Sequence, residues 1–269
     1  MLYQAHFRSA FRLCASTRFF PTVAWLSASL IVAALVAAQF SGRQPSSVAL
    51  DVGISAIRIL LPVLATLLVH DLLFREFDRK LYLTSMTYPL PRQAFLLSRV
   101  FVAALLLFIL LIVLASALAW LTNWVGHGIS QSKPPALGLP YVVTMAFIAL
   151  DLLVALAIGT LIAVTTTTPS FVLIGTIGFM GVARSYSAIV ALLTRDSTLV
   201  GNAGSYQSSL SLLGYLLPDL AALDVRMISL YGDWQFLPDD WPLRVISTLA
   251  YAAALFALSV WALNRKKFA

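Results

Sequence analysis

In FIALDLLVALAIG (147–159) the one charged residue is Asp151, and in GISAIRILLP (53–62) it is Arg58. A charge at the centre of a membrane helix costs about 2.5–3.5 kcal/mol, so such a residue is kept for pairing or for handling a polar substrate. At steps of four, Asp151 shares a stripe with Ala155, Gly159 and Ala163. Small residues on one stripe let another helix approach closely, which predicts that Asp151 faces protein rather than lipid. Arg58 lies one heptad after Asp51 and near its face. It has two readings: it snorkels outward, or it pairs with Asp151 across helices. Together the two residues form either a buried structural pair or part of a substrate path.

Other chemistry finds little material. Cys14 is the single cysteine, so there is no internal disulfide framework and no Cys/His cluster to hold a metal. His6, His70 and His127 are scattered, and His70 beside Asp71 suits contacts with headgroups or a neighbouring segment better than catalysis. An intramembrane hydrolase needs a Gly-x-Ser nucleophile with a histidine in a facing span, an HExxH site, or several Glu and His residues in facing spans. The chain offers no such combination, and its only glutamate is Glu76. No GxxxxGK[ST] phosphate loop is present, so the sequence shows no means of cradling ATP. No convincing inverted repeat marks a secondary carrier.

The elements that must position these residues follow from composition. Of 269 residues, 60% are apolar and 11% charged, against about 45–50% and about 25% in soluble proteins. The expected fold class is an all-α integral membrane protein. About 20 apolar residues cross a bilayer, and six spans are predicted at 20–40, 52–73, 100–124, 139–164, 169–193 and 244–263. An even count puts both termini on one side. That side then holds Arg8, Arg12, Arg18, Arg75, Arg79, Lys80, Arg92, Arg99, Arg265, Lys266 and Lys267, which are 11 of the 18 basic residues. The positive-inside rule makes it the cytoplasm. The opposite side carries an acidic segment, 194–242, and Trp120, Trp124 and Trp241 near the outer span ends, with Trp261 near an inner one.

Three shorter features complete the reading. Residues 1–19 place Phe7, Phe11 and Cys14 on one helical face beside Arg8 and Arg12, as an amphipathic interfacial helix would, the alternative being a disordered basic start. A basic lead of about 19 residues and an apolar core of about 20 favour a retained span over a cleaved signal peptide. Gly175, Gly178 and Gly181 recur every three residues and predict a close helix contact, and TTTTP (165–169) predicts a turn with Pro169 opening the next helix. Within 74–99, Phe74, Phe77, Leu81 and Tyr88 share a helical face, and Pro89 and Pro91 end that helix before a second begins near Arg92. The charges of Arg75, Glu76, Asp78, Arg79 and Lys80 alternate in sign, which suits a mixed-charge protein surface and not nucleic acid.

The order of a basic amphipathic start, two spans, REFDRKLYLTSMTYPLPRQAFLLSR and four more spans resembles the permease subunit of ABC-2 type ABC transporters. Glu76, Leu81, Leu83, Ser85, Pro89 and Arg92 occupy places comparable to that family's coupling helix, although Arg79 and Lys80 stand where the family often has Gly-Thr. YLLPDLAALDVR (215–226) is similar to a run in the branch that includes copper-enzyme maturation transporters, with Ala222 in place of the usual aromatic. The resemblance implies six transmembrane helices and a cytoplasmic coupling helix between spans 2 and 3. It also implies short external re-entrant helices before span 6, including Pro218, Asp219 and Asp224. It assigns ATPase contact to Arg75, Glu76, Phe77, Asp78, Arg79, Leu81, Leu83, Pro89 and Arg92. It further implies cytoplasmic ABC ATPase partners that carry ATP and Mg, a homodimer or heterodimer of permeases, no cofactor on this chain, and a bacterial inner-membrane location. A proton-coupled carrier using Asp151, and a non-transporting anchor or sensor, are the alternatives.

Overall fold

The computed structural model describes residues 19–74, 92–127, 134–195 and 218–266. They are helical, with no strand among the described residues. The long helices are α1 (Phe19–Phe40), α2 (Pro45–Val69), α3 (Arg92–Gly126), α4 (Leu139–Thr165) and α5 (Pro169–Arg195). A short α6 (Arg226–Tyr231) lies between two 3₁₀ turns, Ala221–Leu223 and Trp234–Phe236, and α7 (Trp241–Arg265) ends the bundle. The 1–19 interfacial helix falls outside the described residues, as does 75–91.

Apolar length explains where the long helices lie but not where they stop. The second begins at Pro45 rather than residue 52, and the third begins at Arg92, where a helix is expected to restart after Pro91, and runs unbroken into the span predicted from residue 100. Backbone hydrogen bonding continues through polar sequence, and Pro45 suits the first turn because its missing N–H has no partner there anyway. Proline likewise opens α5 at Pro169. At its far end α2 widens into a π turn, His70–Phe74. Five helices among the described residues, α1 to α4 and α7, are long and apolar enough to cross a bilayer. That is the make-up of a multi-pass, all-α membrane protein. The 27-residue α5 also has the length to cross a bilayer and carries one charge, Arg184, before its last residue.

Antiparallel packing gives the bundle two ends. At the upper end α2, α4 and α7 begin, and Gly126 at the close of α3 approaches Ser46. At the lower end Lys266 Nζ donates to Val164 O at 2.7 Å, joining the last turns of α7 and α4. Burial pulls the Lys266 ammonium below its ordinary pKa. The hub is α4, which packs against α7, α2, α5 and α3. Tyr141 near its start donates to Ala115 O at 2.7 Å, tying it to α3. The stripe of Asp151, Ala155, Gly159 and Ala163 is inside the bundle: both alanines are fully buried, and a Cβ on Gly159 would sit 3.4 Å from Thr176 of α5 and 3.6 Å from Val69 of α2.

The glycines of α5 divide. A Cβ on Gly175 would meet Ile162 at 3.1 Å, whereas among the described residues Gly178 and Gly181 have nothing within 4 Å. Among the described residues the close contact expected of all three is therefore made by Gly175. The tightest approach is at Gly53 of α2, where a Cβ would lie 2.2 Å from Leu118 Cδ1 and 3.0 Å from its Cγ. Leu118 is itself buried, so the whole isobutyl group would have to move. Gly53→Ala is expected to cost about 1–3 kcal/mol of stability by overpacking, and Gly178→Ala to be neutral or slightly stabilising. Thermal unfolding of the two variants in detergent makes the comparison.

Candidate functional site

Arg58, Asp151 and Arg184 stand at one level of the bundle. Counting along each helix at about 1.5 Å per residue, they lie roughly 17–20 Å from the upper ends of α2, α4 and α5. Each of the three has an oppositely charged partner on another element.

The local sequence of α2 prepares the compensation. Pro62 lies inside the helix and has no N–H, so the carbonyl of Arg58, four residues earlier, lacks its helical donor. Arg184 Nη2 supplies one, donating to Arg58 O at 2.9 Å across from α5. The same Nη2 pairs with Asp151 Oδ2. Arg58's own guanidinium uses all three of its edges. Nε is 3.8 Å from Asp151 Oδ2, Nη1 pairs with Asp224 Oδ2, and Nη2 donates to Leu220 O at 2.8 Å.

Asp224 and Leu220 come from the segment that runs up through the bundle between α5 and α7. The 3₁₀ turn Ala221–Leu223 touches α5 and α4, and α6 touches α4 and α2. Leu220, Leu223, Val225 and Ile228 bury their side chains in that notch. The segment then climbs: Arg226 Nη1 reaches Asp51 Oδ1 at 3.1 Å and also contacts Ser55 Oγ, and Ser229 O accepts from Ala136 N at 2.8 Å at the upper end. Arg226 Nε is also 3.7 Å from Asp224 Oδ2. Six side chains thus form one line of alternating sign: Arg184, Asp151, Arg58, Asp224, Arg226, Asp51.

The predicted positions fare as follows. Arg58 and Asp151 are brought together, but each has a closer partner than the other. Arg58 does not snorkel outward. Asp224 joins the line directly. Asp219 lies off it, accepting from Ala222 N at 3.2 Å and standing 3.9 Å from Arg244. Pro218 precedes the 3₁₀ turn, which opens at Ala221, and is not its first residue. Arg75, Glu76, Phe77, Asp78, Arg79, Leu81, Leu83 and Pro89 lie outside the described residues, and Arg92 is placed only as the first residue of α3. Arg184 and Arg226 were not singled out from sequence. The signal for Arg184 was available, since it is as isolated in the predicted fifth span as Arg58 is in the second. A separate pair lies nearer the surface: Arg244 Nε bonds to Asp240 at 2.8 Å and holds its carboxyl below the usual range.

Among the described residues no group of His, Cys, Asp and Glu could hold a metal ion. What the line can do is neutralise charge deep in an apolar bundle while tying the 218–231 segment to three helices. Removing one member of a buried pair costs about 3–5 kcal/mol, whereas replacing both by apolar residues is often neutral. Arg184→Met alone is therefore expected to lose stability at or below the lower end of that range, since Arg58 remains 3.8 Å from Asp151. Adding Asp151→Leu should recover most of it, because Arg58 keeps Asp224. Unfolding midpoints of the two single variants and the double variant measure the coupling.

Compared with known protein families and with curated proteins, the chain matches none at a significant level.

Proposed function

We propose that this chain is the membrane-spanning permease subunit of an ABC transporter of the ABC-2 type, with α5 as a sixth crossing. The single observation that carries the reading is the placing of α2. Its lower end leads through the π turn into the 75–91 segment, and higher up it bears Arg58, which holds the 218–231 segment by Asp224 and Leu220 O. One continuous helical stretch, α2 with its π turn, therefore joins the segment that resembles a coupling helix to the short helices of the 218–231 segment. Closure of a cytoplasmic ATPase pair on ATP would displace the coupling segment, tilt α2 and α3, and load the contacts that hold the 218–231 segment.

Other features support the same reading. The chain has no phosphate loop, so the motor is a separate ATPase that binds ATP and Mg. On the proposed six-span layout the basic residues collect on one side, which supports a cytoplasmic position for both termini and the coupling segment, and the family resemblance supports a bacterial inner membrane. Two permease subunits, alike or related, would pair over two ATPases, and transport would run outward. Arg58 and Asp151 are both engaged by protein partners in this arrangement, which favours the structural-pair reading over the substrate-path one.

The test separates insertion from coupling. Glu76→Ala with Arg79→Ala should leave membrane insertion intact yet reduce co-purification of the ABC ATPase that the unmodified chain captures by about tenfold, the loss expected when a charged contact worth about 1.5 kcal/mol is removed. Co-purification and transport at the level of the unmodified protein would overturn the reading.

A further inference from the structure

The line of six charges alternates in distance as well as in sign. Arg184 with Asp151, Arg58 with Asp224, and Arg226 with Asp51 at 3.1 Å are the close pairs. Between them stand two looser contacts, Arg58 to Asp151 at 3.8 Å and Arg226 to Asp224 at 3.7 Å. Every interior member therefore has a second partner of the right sign already beside it. A shift by one step would make the loose contacts close, with Asp151 passing to Arg58 and Asp224 to Arg226. Only the two end residues, Arg184 and Asp51, would lose a partner.

Those ends are also the places where release is tolerable. Side-chain exposure climbs from 1% at Asp151 through 11% at Arg58, 32% at Asp224 and 36% at Arg226 to 46% at Asp51. A carboxylate released at Asp51, near the upper end of α2, can be solvated, while one released at Asp151 could not. At the other end Arg184 is 25% exposed. Among the described residues its buried Nε–H has no acceptor and Asp151 Oδ1 has no donor, so the two side chains do not form the bidentate fork open to them. Asp151 therefore holds the guanidinium through Nη2, and an incoming anion would meet it on the quarter of the side chain that is exposed.

We propose that Arg184 is a binding site for an anionic group, a carboxylate or a phosphate, and that occupying it shifts the ion pairs one step along and releases Asp51 at the upper end. The incoming anion takes the guanidinium from Asp151, Arg58 takes Asp151, and Arg226 takes Asp224. The bundle interior stays neutral throughout, and one carboxylate leaves it for each anion that enters. Because Arg58 then turns from Asp224 toward Asp151, the 218–231 segment loses its deepest tie, so anion binding and release of that segment are linked. The inference does not depend on the permease reading, since it concerns the chain without an ATPase.

The test uses the full chain purified in a neutral detergent, with thermal unfolding followed by tryptophan fluorescence. Sodium phosphate and sodium acetate are titrated at constant ionic strength, and phosphatidylglycerol in mixed micelles is compared with phosphatidylcholine. A saturable rise in midpoint is expected, with a free anion as the ligand if the salts act and a lipid headgroup if only phosphatidylglycerol does. Arg184→Gln should weaken binding about tenfold or more, as loss of a charged hydrogen bond does. Asp51→Asn removes the far end of the line, favours the shifted pairing and should tighten binding about fivefold. Asp219→Asn makes the same change in net charge off the line and should leave affinity unaltered. The proposal is overturned if no probe gives a saturable shift, if Arg184→Gln binds as tightly as the unmodified chain, or if Asp51→Asn and Asp219→Asn act alike. Should Arg184→Gln fail to fold, the comparison of the two carboxylate variants, both partly exposed, decides by itself.

Discussion

A fixed positive charge deep in an apolar bundle must be neutralised within a few ångströms, and Arg58 imposes that requirement on everything around it. Its guanidinium draws Asp224 and Leu220 O downward from the upper end, and this sinks the 218–231 segment among α2, α4 and α5. Its backbone, deprived of a helical partner by Pro62, draws Arg184 from α5. Arg184 in turn needs a carboxylate, which Asp151 of α4 supplies. One residue and one proline thus specify which faces of three helices meet, and where a fourth chain segment ends its descent. Apolar packing alone would not discriminate so sharply, because one aliphatic face fits another almost as well as a third.

The charged line works only because the helices carrying it come close, and small residues allow that. Ala155, Gly159 and Ala163 bring α4 against α5 and α2 below the charges, and Gly53 admits Leu118 of α3 above them. The outward faces are correspondingly bland. Large aliphatic and aromatic side chains such as Phe101, Phe108, Ile174 and Val182 stand exposed, as lipid contact requires. Trp261 near the lower end carries the Arg265 guanidinium 4.3 Å over its ring, and stacked Trp120 and Trp124 mark the upper end of α3. Polar specification inside and apolar tolerance outside follow from the same fact, that lipid offers no hydrogen bonds.

Much of the fold was legible because hydrocarbon thickness dictates apolar length. The long helices cover the predicted spans within a few residues wherever apolar sequence meets a turn, as at Leu139 and Pro169, and overrun them where polar sequence continues the helix, as at Pro45 and Arg92. The buried stripe around Asp151 was also legible, since a period of four with small residues has one physical meaning. The glycines of α5 were less so: identical spacing put Gly175 against Ile162 and left Gly178 and Gly181 without a close neighbour among the described residues. Periodicity reports that residues share a face, and whether a neighbour stands there depends on how the other helices are arranged.

By itself, then, the sequence determined that the chain is a helical membrane protein, roughly where its helices run, and that Arg58 and Asp151 are costly enough to need a reason. Pairing was beyond it. Arg58 meets Asp224, 166 positions away, more closely than Asp151, and Asp151 is claimed first by Arg184. Which cation finds which carboxylate is set by helix rotation, by depth, and by a carbonyl that Pro62 leaves open. Those are relations among elements far apart in the chain, so only the tertiary structure decides them.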